Sequence, residues 1–365
     1  MTLKFQGVRS LELVFPALLS LSLIGCTTVS TRIDEASDRT RASLPTLAER
    51  WSTVQSDVTG EPVGWIAAFD DPVLVGLVAE AQANNQDLAV AAANVDRSRA
   101  SAGLARAALS PQVSVGAGVE NTGIVDGSDQ STGSVGVEGS WELDLWGRLR
   151  SGQEEARRSL EAVEADFRYS QHAIAAAVAH AYFLAIETNR QLAIARSTVT
   201  ALAETDRIVQ VRFENGLGDA SDVALSRSNL ATAKNDVLDV EGAQRSALRA
   251  LELLLGRYPD ADIAVREALP SVPPPPPVGV PSTILERRPD LIAAERRVAA
   301  ALADVDEAQA AKLPSFTLTG SFGGASDELS EILDPSNLAW TLASNLVAPV
   351  IDGGARDRQV EIAEA

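Results

Sequence analysis

From Gln153 to Glu214 the chain contains neither glycine nor proline. Few compact folds can hold such a run if it is helical, because at 1.5 Å per residue about 60 residues make a rod of roughly 90 Å. Its apolar periodicity is helical. Leu192, Ala195, Val199, Leu202, Asp206, Val209 and Phe213 recur in alternating steps of three and four. That is the spacing of a coiled-coil seam with one polar member. "ENGLGDASDV" ends the run. Gly216 and Gly218 permit a reversal, and Asp219 or Ser221 stands where a new helix needs a cap. The pattern then returns through Val223, Ser226, Leu230, Ala233, Val237, Val240, Gln244, Ala247, Leu251 and Leu254. Residues 150–256 are therefore expected to form an antiparallel helical hairpin with its tip at 215–219. Its polar seam members Asp206, Ser226 and Gln244 either pair across the helices or set their register.

Just before this run the period is two. In "SWELDLWGRLRSGQEEAR" the apolar residues alternate up to Leu145, and beyond Gly147 the chain becomes charged and helical. Val135, Val137, Gly139, Trp141, Leu143 and Leu145 share one face, and Ser134, Gly136, Glu138, Ser140, Glu142 and Asp144 the other. An earlier alternation places Val113, Val115, Ala117 and Val119 opposite Ser114, Gly116, Gly118 and Glu120. With a Gly/Asp/Ser-rich turn over 121–132, the two strands make a hairpin. A helical pattern precedes it, from Asp71-Pro72 to about Ser110-Pro111.

The same order recurs. Five prolines, Pro273 to Pro277, mark an extended connector. Leu291 to Lys312 is then helical, and "LPSFTLTGSFG" matches "LSPQVSVGAGV", with Pro314 falling 203 positions after Pro111. A further alternation runs from Leu338 to Val350, and "VIDGGARDRQVEIAEA" enters another helix. The organisation expected is an internal two-fold repeat: 65–256 as the first repeat, 257–281 as connector, and 282–365 as the second. The second repeat stops just inside its long helix, whereas the first continues for about 110 residues past the equivalent point. We expect a missing second hairpin, so that the chain is incomplete or the remnant of a longer channel.

Strands of about 10 residues, apolar on one face and Ser, Thr, Gly or acid on the other, match transmembrane β-strands. A half-buried soluble sheet shows the same alternation. Trp141 and Trp340 fit either an interfacial aromatic girdle or packing against neighbours. Four strands cannot close a barrel, and an open edge in lipid leaves costly unpaired amides. A membrane reading therefore requires several copies to share one barrel; three copies supply twelve strands. The junctions at Asp144–Gly147 and Asp352–Gly354 would hand the barrel over to the helices.

The N-terminus gives an address. Lys4 and Arg9 precede an apolar run from Leu13 to Ile24, too short for a membrane helix, followed by Leu23-Ile24-Gly25-Cys26. This resembles a lipoprotein signal over 1–25, with Cys26 acylated and 26–64 a linker; an ordinary signal peptide is the alternative. Later segments include no unbroken apolar run of helix-spanning length. The net charge of −19 argues against nucleic acid as a partner. His172 and His180, the two histidines, make a poor metal site. With no catalytic constellation, phosphate loop or nucleophile elbow, the expectation is a non-enzyme without cofactor.

Four stretches carry a family resemblance: "GWIAAFDDPVLVGLVAEAQANNQDLAVAAANVDRSRA", "WELDLWGRLR", "RFENGLGDASDVALSRSNLATA" and "LPSVPPPPPVGVPSTILERRPDLIAAERRVAAA". They resemble the outer-membrane factor family, the TolC-like channels of the NodT/OprM lipoprotein branch, in the family's order. The resemblance implies a mixed α and β fold: long coiled-coil hairpins building a periplasmic α-barrel, and four transmembrane strands per protomer in a shared 12-stranded trimeric β-barrel. It implies a homotrimer in the Gram-negative outer membrane, acting as a passive exit duct for small molecules. A periplasmic adaptor (membrane fusion) protein and an inner-membrane pump are the implied partners. The hairpin tip at Gly216, Leu217 and Gly218 is the implied adaptor contact. The competing expectation is a lipid-anchored periplasmic coiled-coil scaffold.

Overall fold

In a computed structural model the described residues are 64–123, 125, 129–273 and 287–365. The signal segment, Cys26, most of the linker and the proline run from Pro274 lie outside them. The elements are α1 (Pro72–Asn84), α2 (Gln86–Ala107), β1 (Gln112–Thr122), β2 (Gln130–Leu143), α3 (Arg148–Glu214), α4 (Ala220–Leu254), α5 (Pro289–Ala310), β3 (Ser315–Ser326), β4 (Leu338–Val347) and α6 (Ala355–Glu364). The fold is mixed α and β, with α3 alone 67 residues long.

Residues form two compact units. One gathers Ser98–Glu161 and Ala294–Ala365 and contains the whole sheet. The four strands lie in order β1-β2-β3-β4, all antiparallel. The register sorts side chains by character. Val115, Val137, Phe322 and Trp340 stand abreast on one face, as do Val113, Gly139, Gly320 and Leu342. On the other, Ser114, Glu138, Ser321 and Thr341 make one row and Gln112, Ser140, Thr319 and Ala343 the next. A shallow hollow crosses all four strands on this polar side. The small side chains of the polar face thus leave a recess, while the apolar face carries the large side chains.

The other unit, drawn from residues up to Arg97 and from within Ala162–Ala293, has a helical core. Leu74, Leu77, Val78 and Ala81 of α1 pack with Val178, Tyr182 and Ile186 of α3 and with Leu251 and Leu255. Asp71 caps α1, its carboxylate accepting from the amides of Val73 and Leu74. The Tyr182 hydroxyl donates to the same carboxylate at 3.0 Å, and Arg266 lies 3.2 Å away. Buried Glu252 accepts from the amides of Ala261, Asp262 and Ile263 and so pins the chain leaving α4.

Several boundaries differ from the sequence expectation. The turn expected over 121–132 is shorter, because β1 runs to Thr122 and β2 starts at Gln130, with Thr122 paired to Gln130. The first helical stretch is broken at Asn85, whose side chain accepts from Asp87 and Leu88 and donates to the Leu254 carbonyl. Apolar spacing continues across such a break, so periodicity misses it. Strand β2 ends at Leu143 rather than Leu145, because the Leu145 amide folds back onto the Leu143 carbonyl. Strand β4 ends at Val347 rather than Val350; Pro349 has no amide to extend the ladder.

Candidate functional site

The two strand-to-helix junctions are built alike. After β2, the Asp144 carboxylate accepts from the amides of Leu149 (3.1 Å) and Arg150 (3.0 Å) and from Arg150 Nε (2.9 Å). After β4, Asp352 accepts from the amides of Gly354 (3.0 Å) and Arg356 (3.3 Å) and from Arg356 Nη1 (3.2 Å). In each case an acid satisfies amides that a helix start leaves open. Each junction turns on left-handed glycine: Gly147 at φ +83°, Gly353 at +67° and Gly354 at +85°. Burial alone pushes the Asp144 pKa up, but the hydrogen bonds from Arg150 and the Leu149 amide hold it below the ordinary value. The Gly354 amide first, and then Arg356, hold exposed Asp352 below the ordinary value as well, against the opposing effect of burial.

Two junction residues carry more than the sequence suggested. The Trp146 indole donates to the Pro314 carbonyl at 2.6 Å, tying the first junction to the start of β3. Arg148 grips both oxygens of Glu142 at 2.8 and 2.9 Å and stands 3.6 Å from Glu307 of α5. The only hint of this in the sequence was the tryptophan and arginine flanking Gly147. Trp141 donates to the Leu109 carbonyl at 3.0 Å, which gives it a packing partner, whereas Trp340 is 76% exposed.

At the far end of α3 the chain reverses over 215–219. Gly216 takes φ +73°, and the amides of Gly216 and Leu217 bond the Phe213 and Arg212 carbonyls. Asp219 caps α4 by accepting from the Ser221 amide. Leu217 is left 71% exposed at the turn. Within the hairpin, the Ser226 hydroxyl donates to Asp206 at 2.6 Å, both residues being buried, and Gln244 donates to Asn189 at 3.0 Å. The polar seam members thus pair across the helices. His172 and His180 are exposed. No helix among the described residues is long and apolar enough to cross a membrane.

The profile of outer membrane efflux proteins matches residues 77–257 and 280–365. The chain belongs to this family. It is 29% identical over 361 residues to the cation efflux system protein CusC of Escherichia coli O6:H1, covering 96% of this chain and 76% of the relative. It is 32% identical over 364 residues to the pyoverdine export outer membrane protein OpmQ of Pseudomonas putida, covering 95% and 75%. The solved outer-membrane channel OprN superposes with a TM-score of 0.79 at 28% identity, over 88% of this chain and 75% of that one. As a member, the protein is an outer-membrane efflux channel component of a Gram-negative tripartite system. That family consists of channels and not of enzymes.

Proposed function

We propose that three copies of this chain assemble one passive exit duct, each contributing its four-stranded sheet to a 12-stranded barrel in the outer membrane. One observation carries the reading: a sheet apolar on one face and polar on the other has β1 and β4 as unpaired edges among the described residues. In lipid an unpaired edge is costly, and closure with further copies removes it. Strand directions alternate, so β4 of one copy meets β1 of the next in antiparallel sense. The exposed row of Val115, Phe322 and Trp340 then faces lipid.

In this reading Asp144, Gly147, Asp352 and Gly354 turn the barrel into the periplasmic helices. Cys26 carries the lipid anchor after removal of residues 1–25, and 26–64 is the linker. Residues 65–256 and 282–365 act as two repeats joined by the connector 257–281. The tip at Gly216, Leu217 and Gly218 docks the periplasmic adaptor, which links the duct to an inner-membrane pump that supplies the energy. CusC and OpmQ are named for different cargoes, which supports a duct that leaves the main choice of cargo to the pump. The test is a planar bilayer recording of the purified, detergent-solubilised protein. Steady ion conductance is the expected result; silent membranes at protein levels that insert other porins would overturn it.

A further inference from the structure

The four strands carry three charged residues, and all three are glutamates: Glu120, Glu138 and Glu142. All lie on the polar face, since they alternate with Val119, Val137 and Leu143 of the apolar one. The strands contain no lysine or arginine. The three acids differ in their surroundings. Glu142 sits at the junction end, where Arg148 neutralises it through two hydrogen bonds. Glu120 lies at the opposite end, two residues from the close of β1. Glu138 is in the middle of the sheet, exposed, and lines the hollow that crosses the four strands. Its neighbours along the row are Ser114, Ser321 and Thr341, which are hydroxyls and not cations.

We infer that Glu138 sets the charge preference of the barrel, so that the lumen passes cations and small cationic solutes more readily than anions. The inference rests on the shared-barrel reading. Three copies place three Glu138 carboxylates at one height around the water-filled lumen of the shared barrel. Rings of acidic side chains in such a channel favour cations. Low-dielectric walls focus the field, which raises the local concentration of the opposite charge. The flanking rows, Gln112-Ser140-Thr319-Ala343 on one side and Gly116-Gly136-Gly323-Ala339 on the other, carry no cation to offset them.

The test is the reversal potential of the reconstituted protein under a KCl gradient. The wild type is expected to be cation-selective, and the preference should weaken between about 0.1 M and 1 M salt, as the Debye length falls from about 10 Å to 3 Å. Glu138→Gln should reduce the potassium-to-chloride permeability ratio by about twofold or more. Glu138→Asp should keep the preference, and Glu138→Lys should shift it toward anions. Each variant replaces an exposed side chain, and its conductance reports that it has assembled. If Glu138→Gln conducts with an unchanged permeability ratio, the assignment of Glu138 falls while the duct stands. If the wild type does not conduct, the duct reading falls and this inference falls with it.

Discussion

Single residues hold the helical unit together, and two of them make direct predictions. Gly256 closes α4 with φ +73°, and a Cβ there would press into the Asn84 backbone carbonyl. Gly256→Ala is expected to cost about 3 kcal/mol, from the left-handed backbone and the displaced carbonyl together. Thermal unfolding in detergent reads it. Tyr182 is fully buried with its hydroxyl on Asp71, and burial first, then the Asp71 carboxylate, pushes its pKa up from 10 to about 12. The folded state keeps the phenol neutral where the unfolded chain would ionise. The associated stability is complete below pH 10 and lost as pH rises through 12, about 2–3 kcal/mol in all. Tyr182→Phe should be less stable than wild type at pH 8 by about 1–2 kcal/mol, and should lack this alkaline loss, so the gap closes as pH rises. Asp71 behaves oppositely. Burial raises its pKa, but the Leu74 amide, Tyr182 and Arg266 bring it below the ordinary value. Its contribution is therefore present above about pH 4 and fades as pH falls further.

The elements were legible in the sequence to different depths. Long periodic runs were clear: α3 and α4 fall where the three-four spacing and the glycines of 215–219 put them. The strands were equally legible, because alternation survives whichever face meets lipid. Local hydrogen bonds decided what was not legible. Asn85 breaks a continuous apolar pattern, and the Leu145 amide bond and Pro349 shorten two strands. The seam acid Asp206 was visible as an exception, but its partner Ser226 was fixed only by the way the hairpin folds. A double-mutant cycle on Asp206→Ala and Ser226→Ala should give a coupling of about 1–2 kcal/mol in hairpin stability. Leu217 belongs to the same hairpin and tests its tip. If the adaptor docks there, Leu217→Glu should reduce cellular efflux severalfold while oligomeric state and bilayer conductance stay at wild-type levels. Unchanged efflux would remove the tip from the docking surface.

At the scale of the molecule, one chain leaves much unsatisfied. Val113, Val115, Trp340, Leu342 and Leu346 are each at least 65% exposed, and two strand edges stand open. Exposed apolar surface of this kind has to be covered, and an apolar sheet face is suited to lipid rather than water. The sequence announced the amphipathic strands but not which residues stand abreast across them, which only the register reveals. The strongest test is therefore the mass of the assembled particle. Native mass spectrometry of the full chain, extracted from outer membranes in mild detergent, should give a particle of three copies. A monodisperse single copy that stays in solution without detergent would contradict the shared barrel.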